Sequence, residues 1–163
     1  MAEDITGMRS GATPFRWVEY RKDWTQVASE VIEESLVTIY INGQELATFM
    51  CTPLDQEALA LGLLKNEGLI EGMEEVRATS VNQNGCCVDV WLNHEFVKPE
   101  RLIITSGCGG GVTFDDPQVG IEPLEYEIKI SPEELMDLFN NLQTPSSLYA
   151  RTRGVHTAGL GKD

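Results

Sequence analysis

The residue types best suited to chemistry are gathered in Ser106-Gly-Cys-Gly-Gly-Gly111, directly after the apolar run Leu102-Ile-Ile-Thr105. A strand that ends in glycines can turn sharply and present consecutive backbone N–H groups, a nest that stabilises an anion. A thiolate among such dipoles has a lowered pKa. Cys108 is therefore a candidate nucleophile, with Gly107, Gly109, Gly110 and Gly111 as its anion-stabilising surroundings. The glycines also leave the sulfur open to a bulky partner. The competing reading, a flexible turn holding an incidental cysteine, weighs about the same on these residues alone.

Other known glycine-rich loops fit poorly. No Gly-Lys-Ser/Thr follows, so this is not a Walker phosphate cradle. Ser106 stands where a Gly-x-Ser-x-Gly elbow, with Cys as its nucleophile, requires Gly. No second Cys follows at knuckle spacing. A zinc site pooling Cys86, Cys87, Cys108, His94 and His156 would need four converging ligands without the usual spacings, so no metal site is expected.

Gly154-Val-His156 is the second feature. Histidine titrates near neutrality, so His156 can move a proton to or from the Cys108 sulfur; a histidine hydrogen-bonded in a core strand is the plainer alternative. His94, between Asn93 and Glu95, reads as surface. Cys51, and Cys86-Cys87 inside a strand, read as packing thiols. Asp115-Asp116-Pro117 reads as a solvated turn rather than a cation site, and the Glu33-Glu34 and Glu133-Glu134 pairs as helix-start or surface charge.

The elements that must position these residues are strands first. Phe15-Arg-Trp-Val-Glu-Tyr20 alternates loosely, and Leu36-Val-Thr-Ile-Tyr-Ile41 is β-branched and aromatic. Asn42-Gly43 predicts a tight hairpin returning through Gln44-Glu-Leu-Ala-Thr-Phe-Met50. Thr52-Pro-Leu-Asp55 opens a helix with Asp55 as N-cap, an apolar stripe of Leu54, Ala58, Leu61 and Leu64, and Gly68 as its terminator. A second hairpin turns at Asn84-Gly85 between residues 76–81 and 86–92. Tyr126-Glu-Ile-Lys-Ile130 reads as a strand. Ser131-Pro-Glu-Glu134 is a capping-box start for a helix with Leu135, Leu138, Phe139 and Leu142 on one face, and residues 146–150 read as one more turn.

The 163 residues suffice for one domain with a real core. Against 26 Asp+Glu stand 12 Lys+Arg, a formal net charge of −14, which repels phosphate backbones and anionic membrane surfaces. No nucleic-acid or membrane partner is expected. No run approaches the roughly 20 apolar residues needed to span a bilayer, and the first ten residues are not a secretory leader. Four Cys do not make a disulfide scaffold, so reduced thiols and a cytoplasmic location are expected. The domain reading is a tail over residues 1–14, an α+β domain over 15–125 ending in the Cys loop, and a partial α/β domain over 126–163. The first half is expected to be antiparallel.

Taken together, these segments resemble the formate dehydrogenase accessory sulfurtransferases, the FdhD family. Asn42-Gly43 in a hairpin, Thr52-Pro53, and a helix ending Glu67-Gly68-Leu-Ile70 are similar to its first domain. The family then places a Cys-x-x-Cys loop after a short strand, a helix pair, and a Thr-Gly-Gly-Val-His-x-Ala segment. The matching pieces here are Ser106-Gly-Cys-Gly-Gly-Gly111 and Thr152-Arg-Gly-Val-His-Thr-Ala158, in the same order over residues 34–160.

The resemblance implies a sulfur carrier. Cys108 would accept sulfane sulfur from a cysteine desulfurase as a persulfide. It would pass that sulfur to the molybdenum or tungsten cofactor with two pterin guanine dinucleotides, a substrate rather than a tightly bound cofactor, for insertion into formate dehydrogenase. His156 matches the family's Val-His and would support the site. Gly111 replaces the second loop Cys, so a disulfide exchange between two loop thiols is impossible and a one-cysteine mechanism remains. Arg153 replaces the first Gly of the family's pair. Relatives continue beyond the Val-His segment into a domain resembling cytidine deaminases, with residues that contact the guanine dinucleotide. This chain ends at Asp163 and is therefore expected to be cut short; were residues 155–160 a strand of a larger sheet, they would show an unpaired edge. A second chain, self-association as a homodimer, or reduced function as a fragment would follow. The alternatives to a carrier are a non-catalytic adaptor docking the desulfurase or apo-enzyme through the acidic surface, and a hydrolase using Cys108 with His156.

Overall fold

Alternating burial marks the strands that carry the fold. The computed structural model describes residues 10–104, 112–114, 129–143 and 147–160. In chain order these form β1 (Ala12–Tyr20), β2 (Trp24–Ile32), β3 (Ser35–Ile41), β4 (Gln44–Cys51) and α1 (Gln56–Asn66). A 3₁₀ turn (Met73–Glu75), β5 (Val76–Val81), β6 (Cys87–Leu92), β7 (Ile103–Ile104), β8 (Val112–Thr113), α2 (Pro132–Gln143) and α3 (Ser147–Thr152) follow. The class is α+β. The described residues fall into two compact units: Glu34–Pro123, and the two flanking stretches Met1–Glu33 and Leu124–Asp163 together.

In the Glu34–Pro123 unit the sheet order is β4-β3-β6-β5. Asn42 and Gly43 both take positive φ (47° and 80°), the geometry that joins β3 to β4 in a two-residue turn. Every second residue of β3 and β6 points into the core, where Val37, Ile39, Ile41, Val88 and Val90 are fully buried. One expectation is overturned at the centre of this sheet. β3 and β6 run parallel, with Ile39 beside Val88 and Ile41 beside Val90. The two hairpins close locally, but the chain between them crosses over through α1, and that crossover brings the inner strands together in the same direction.

α1 packs on β5 and β6. Its buried residues are Ala60 and Leu64, with Leu61 and Leu63 partly buried, whereas Ala58 is exposed. The expected stripe through Ala58 is therefore rotated. Apolar residues at 58 to 61, 63 and 64 surround most of the helix, so packing rather than spacing selects the face. Asp55 does precede the helix, but at φ 50° and without a side-chain cap bond. The C-terminus is a Schellman motif: Leu69 N–H donates to Leu64 O (2.8 Å), Gly68 N–H to Lys65 O (3.2 Å), and Gly68 sits at φ 66°.

In the other unit β1 and β2 pair antiparallel along nine residues each, from Ala12 opposite Ile32 to Tyr20 opposite Trp24. β1 thus includes residues 12–14, read above as tail; residues 1–9 lie outside the described ones. β2 escaped the sequence reading because Thr25, Gln26, Ala28, Ser29 and Glu30 break up its apolar residues; pairing, not patterning, makes it a strand. The capping box of α2 is present, with Ser131 N–H on Glu134 Oε2 (2.7 Å) and Glu134 N–H on Ser131 Oγ (3.2 Å). The face with Leu135, Leu138 and Phe139 is exposed. α3 packs on β2, where Arg151 grips Glu30 through Nε (2.5 Å) and Nη2 (2.7 Å). Residues 154–160 form no regular element. The strand expected over 126–130 lies largely outside the described residues.

Candidate functional site

Cys108 and its neighbours Gly107, Gly109, Gly110 and Gly111 lie outside the described residues, as do Asp115, Asp116 and Pro117. What brackets the cysteine segment is described. β7 enters it and β8 leaves it, paired antiparallel with Ile103 opposite Thr113 and Ile104 opposite Val112. Phe114, one residue past β8, is buried in the core cluster. Glu67, the C-cap of α1, holds this exit: its Oε2 accepts hydrogen bonds from Thr113 Oγ1 (2.8 Å) and Phe114 N–H (2.9 Å). The sequence reading used Glu67 only as part of the Glu-Gly helix end. Its partners lie 46 and 47 residues away, which no local pattern displays.

Cys51, Cys86 and Cys87 are half-buried thiols outside any disulfide. Burial, and then the nearby Glu34 carboxylate, push the Cys51 thiol up. Burial, then the hydrogen bond and charge of Cys86, and Asp89, do the same for Cys87. A raised thiol pKa keeps the sulfur protonated and poorly nucleophilic at neutral pH, as packing thiols should be. Cys86 belongs to the turn rather than to the strand expected for it, and Cys87 opens β6; their sulfurs are 3.9 Å apart. Asn82 organises this turn, its Oδ1 accepting from Cys86 N–H (2.9 Å) and Cys87 N–H (3.1 Å).

His156 is exposed, on residues 154–160 of the unit that carries β1 and β2, so it is not a core histidine. His94 is at the surface as expected, but it is also engaged. Its Nε2 is 2.8 Å from Glu75 Oε2 and its Nδ1 is 2.9 Å from the Glu95 carbonyl. That carbonyl first, and the Glu75 carboxylate after it, hold the His94 pKa above its ordinary value. Glu75 is held below the usual carboxylate range by the N–H groups of Glu71 and Gly72, then by His94. Among the described residues no group of three or more His, Cys, Asp or Glu is arranged to hold a metal ion, and no helix is long and apolar enough to cross a membrane.

Fold and site together define an α+β chain in which a short antiparallel stem, tied to a helix end, brackets a glycine-rich segment with one cysteine. The FdhD/NarQ family profile matches residues 32–163, and the chain belongs to that family. It is 32% identical over 150 residues to the sulfur carrier protein FdhD of Bacillus pumilus, covering 87% of this chain and 57% of that one. The protein of the same name from Wolinella succinogenes is 32% identical over 135 residues, 80% of this chain and 47% of that one. For Bacillus subtilis the figures are 30% over 154 residues, 88% and 57%. The chain spans about half the length of these curated relatives. Among solved structures, a protein from Desulfotalea psychrophila described as a formate dehydrogenase accessory protein matches 55% of this chain and 39% of its own. Its TM-score is 0.47 at 24% identity.

Proposed function

We propose that this chain is a sulfur carrier in formate dehydrogenase maturation and that Cys108 bears the sulfur. The observation that supports this reading best is family membership over residues 32–163, with curated relatives named as sulfur carrier proteins. The Cys108 thiolate attacks the outer sulfur of a persulfide on a cysteine desulfurase. A new S–S bond forms on Cys108, the donor S–S bond breaks, and the donor cysteine leaves as a thiolate, so no external oxidant or reductant is consumed. Consecutive glycine N–H groups suit the terminal sulfur anion. The sulfur then passes to the molybdenum or tungsten cofactor, the substrate of the transfer, before its insertion into the apo-enzyme. His156, which is exposed, is the proposed proton carrier.

The test is intact-protein mass after incubation with a cysteine desulfurase and cysteine, mapped by peptide. A gain of about 32 Da on Cys108, reversed by reductant, marks a persulfide. Cys108→Ala is expected to abolish it, while Cys51→Ala, Cys86→Ala and Cys87→Ala leave it largely intact. Equal loading of all four thiols would remove the special role of Cys108. No gain in the folded chain beside an active desulfurase would favour a non-catalytic adaptor.

A further inference from the structure

We propose that Cys86 and Cys87 form a two-sulfur site for one soft monovalent cation of the Cu(I) class, separate from the Cys108 chemistry. The two sulfurs stand 3.9 Å apart, so both can reach one ion. At a thiolate–metal bond of about 2.3 Å, the value for zinc, the 3.9 Å separation subtends an angle of roughly 115°, near trigonal. Both thiols are half-buried, so an ion can reach them from solvent and take an external third ligand. Among the described residues no third His, Cys, Asp or Glu joins them in a metal-holding group. Structural zinc needs four protein ligands, and calcium and magnesium need oxygens. Two thiolates suit a soft ion of low coordination number.

The backbone of the pair is fixed before any ion arrives. Asn82 Oδ1 accepts from Cys86 N–H (2.9 Å) and Cys87 N–H (3.1 Å), and Asn82 N–H donates to Cys87 O (3.0 Å). Thr38 N–H on β3 donates to Cys86 O (2.8 Å), so every backbone polar group of the dipeptide is held. Asn82 Nδ2 also donates to Cys86 Sγ (3.3 Å), a bond that strengthens when the sulfur carries charge. A disulfide within the pair is disfavoured, because consecutive Cα atoms are about 3.8 Å apart and disulfides prefer about 4.4–6.8 Å. Charge points to a cation as well. Burial, then Cys86, then Asp89 oppose a bare Cys87 thiolate, and those same two negative neighbours attract a bound cation. Binding forms two S–metal bonds, releases the two S–H protons to solvent and moves no electron.

The test is an anaerobic titration of the whole chain with Cu(I) against a chromogenic Cu(I) chelator, followed by native mass spectrometry. The Cys51→Ala/Cys108→Ala chain, which keeps only this pair of cysteines, is expected to hold one Cu(I). Cys86→Ser or Cys87→Ser in that background is expected to weaken binding on the order of 100-fold or more, since even the outer partners of a metal ligand are worth about 10–100-fold. No Cu(I) uptake by the folded Cys51→Ala/Cys108→Ala chain, or unchanged affinity in either serine variant, overturns the proposal. Should these variants not fold, the wild-type chain is treated with one equivalent of Cu(I), alkylated with iodoacetamide and mapped by peptide. Slower alkylation at both Cys86 and Cys87 than in the metal-free chain supports the site; slowing at only one of them, or at neither, overturns it. Cu(I) uptake needs no desulfurase, so these readouts stand whether or not Cys108 loads sulfur.

Discussion

The β3–β6 centre of one sheet and the β1–β2 ladder are both strand pairs, yet they are held by different forces. β1 and β2 share the longest ladder, nine residues on each side, but Phe15, Val18, Tyr20 and Trp24 are more than half exposed, Trp24 at 74%. β3 and β6 are paired over only four positions, and their inward residues are completely buried. Net backbone hydrogen bonding is modest because water competes for it, whereas burying an Ile or Val side chain contributes about 1.5–3 kcal/mol. Ladder length therefore does not measure stability here. The short parallel pair is the foundation, and the elements nearest the cysteine segment, α1 with Glu67 and buried Phe114, belong to its core.

Substitutions can break that contrast. Ile39→Ala, inside the β3–β6 pair, is expected to cost about 2–5 kcal/mol in urea unfolding. Gly68→Ala meets no neighbour within 4 Å, so only the left-handed backbone penalty applies, about 1–2 kcal/mol. Val18→Ala in the long ladder is expected within about 0.5 kcal/mol of wild type; a loss as large as that of Ile39→Ala would show that the ladder is buried in solution.

Two smaller effects sharpen it. The folded-state pKa of His94 is raised, so the stability it contributes is complete below its ordinary 6.5 and fades as pH rises through the folded value. Glu75 runs the opposite way: its contribution is present above its ordinary 4.5 and is lost as pH falls through the lowered value. The decline of melting temperature as pH rises past neutrality should therefore be slightly shallower in His94→Gln, and an unchanged profile would dismiss the pair as a contributor. Smallest of all, Arg151→Ala removes an exposed pair with Glu30; it is expected to speed amide exchange in β2 and leave exchange in β3 and β6 untouched.

Much of the fold was legible because its signals are local. The Asn42-Gly43 turn, the Asn84-Gly85 turn, the Gly68 helix end and the Ser131–Glu134 capping box each depend on residues within five positions of one another. β2 was not legible, since it lacks an apolar face and exists through its partner. The face of α1 was misjudged because leucines and alanines nearly encircle it. Cys108 became a candidate through its glycines and the family resemblance, while the Glu67 contacts were overlooked because those hydrogen bonds span distant residues. Asn42 shows the same division in one side chain. Its turn role is visible locally, but its bonds to Leu92 N–H (2.8 Å) and the His94 carbonyl (2.9 Å) are not.

By itself, the sequence determined the β3–β4 and β5–β6 hairpins, the Gly68 helix end, the Ser131–Glu134 capping box, the candidate nucleophile and the family, since each rests on backbone preferences or motifs a few residues long. Only the tertiary structure decided that the inner strands run parallel, that α1 turns Ala60 and Leu64 inward, and that Glu67 reaches Thr113 and Phe114. These outcomes follow from filling one shared core and satisfying buried or half-buried polar groups across distant segments, and such conditions have no local signature.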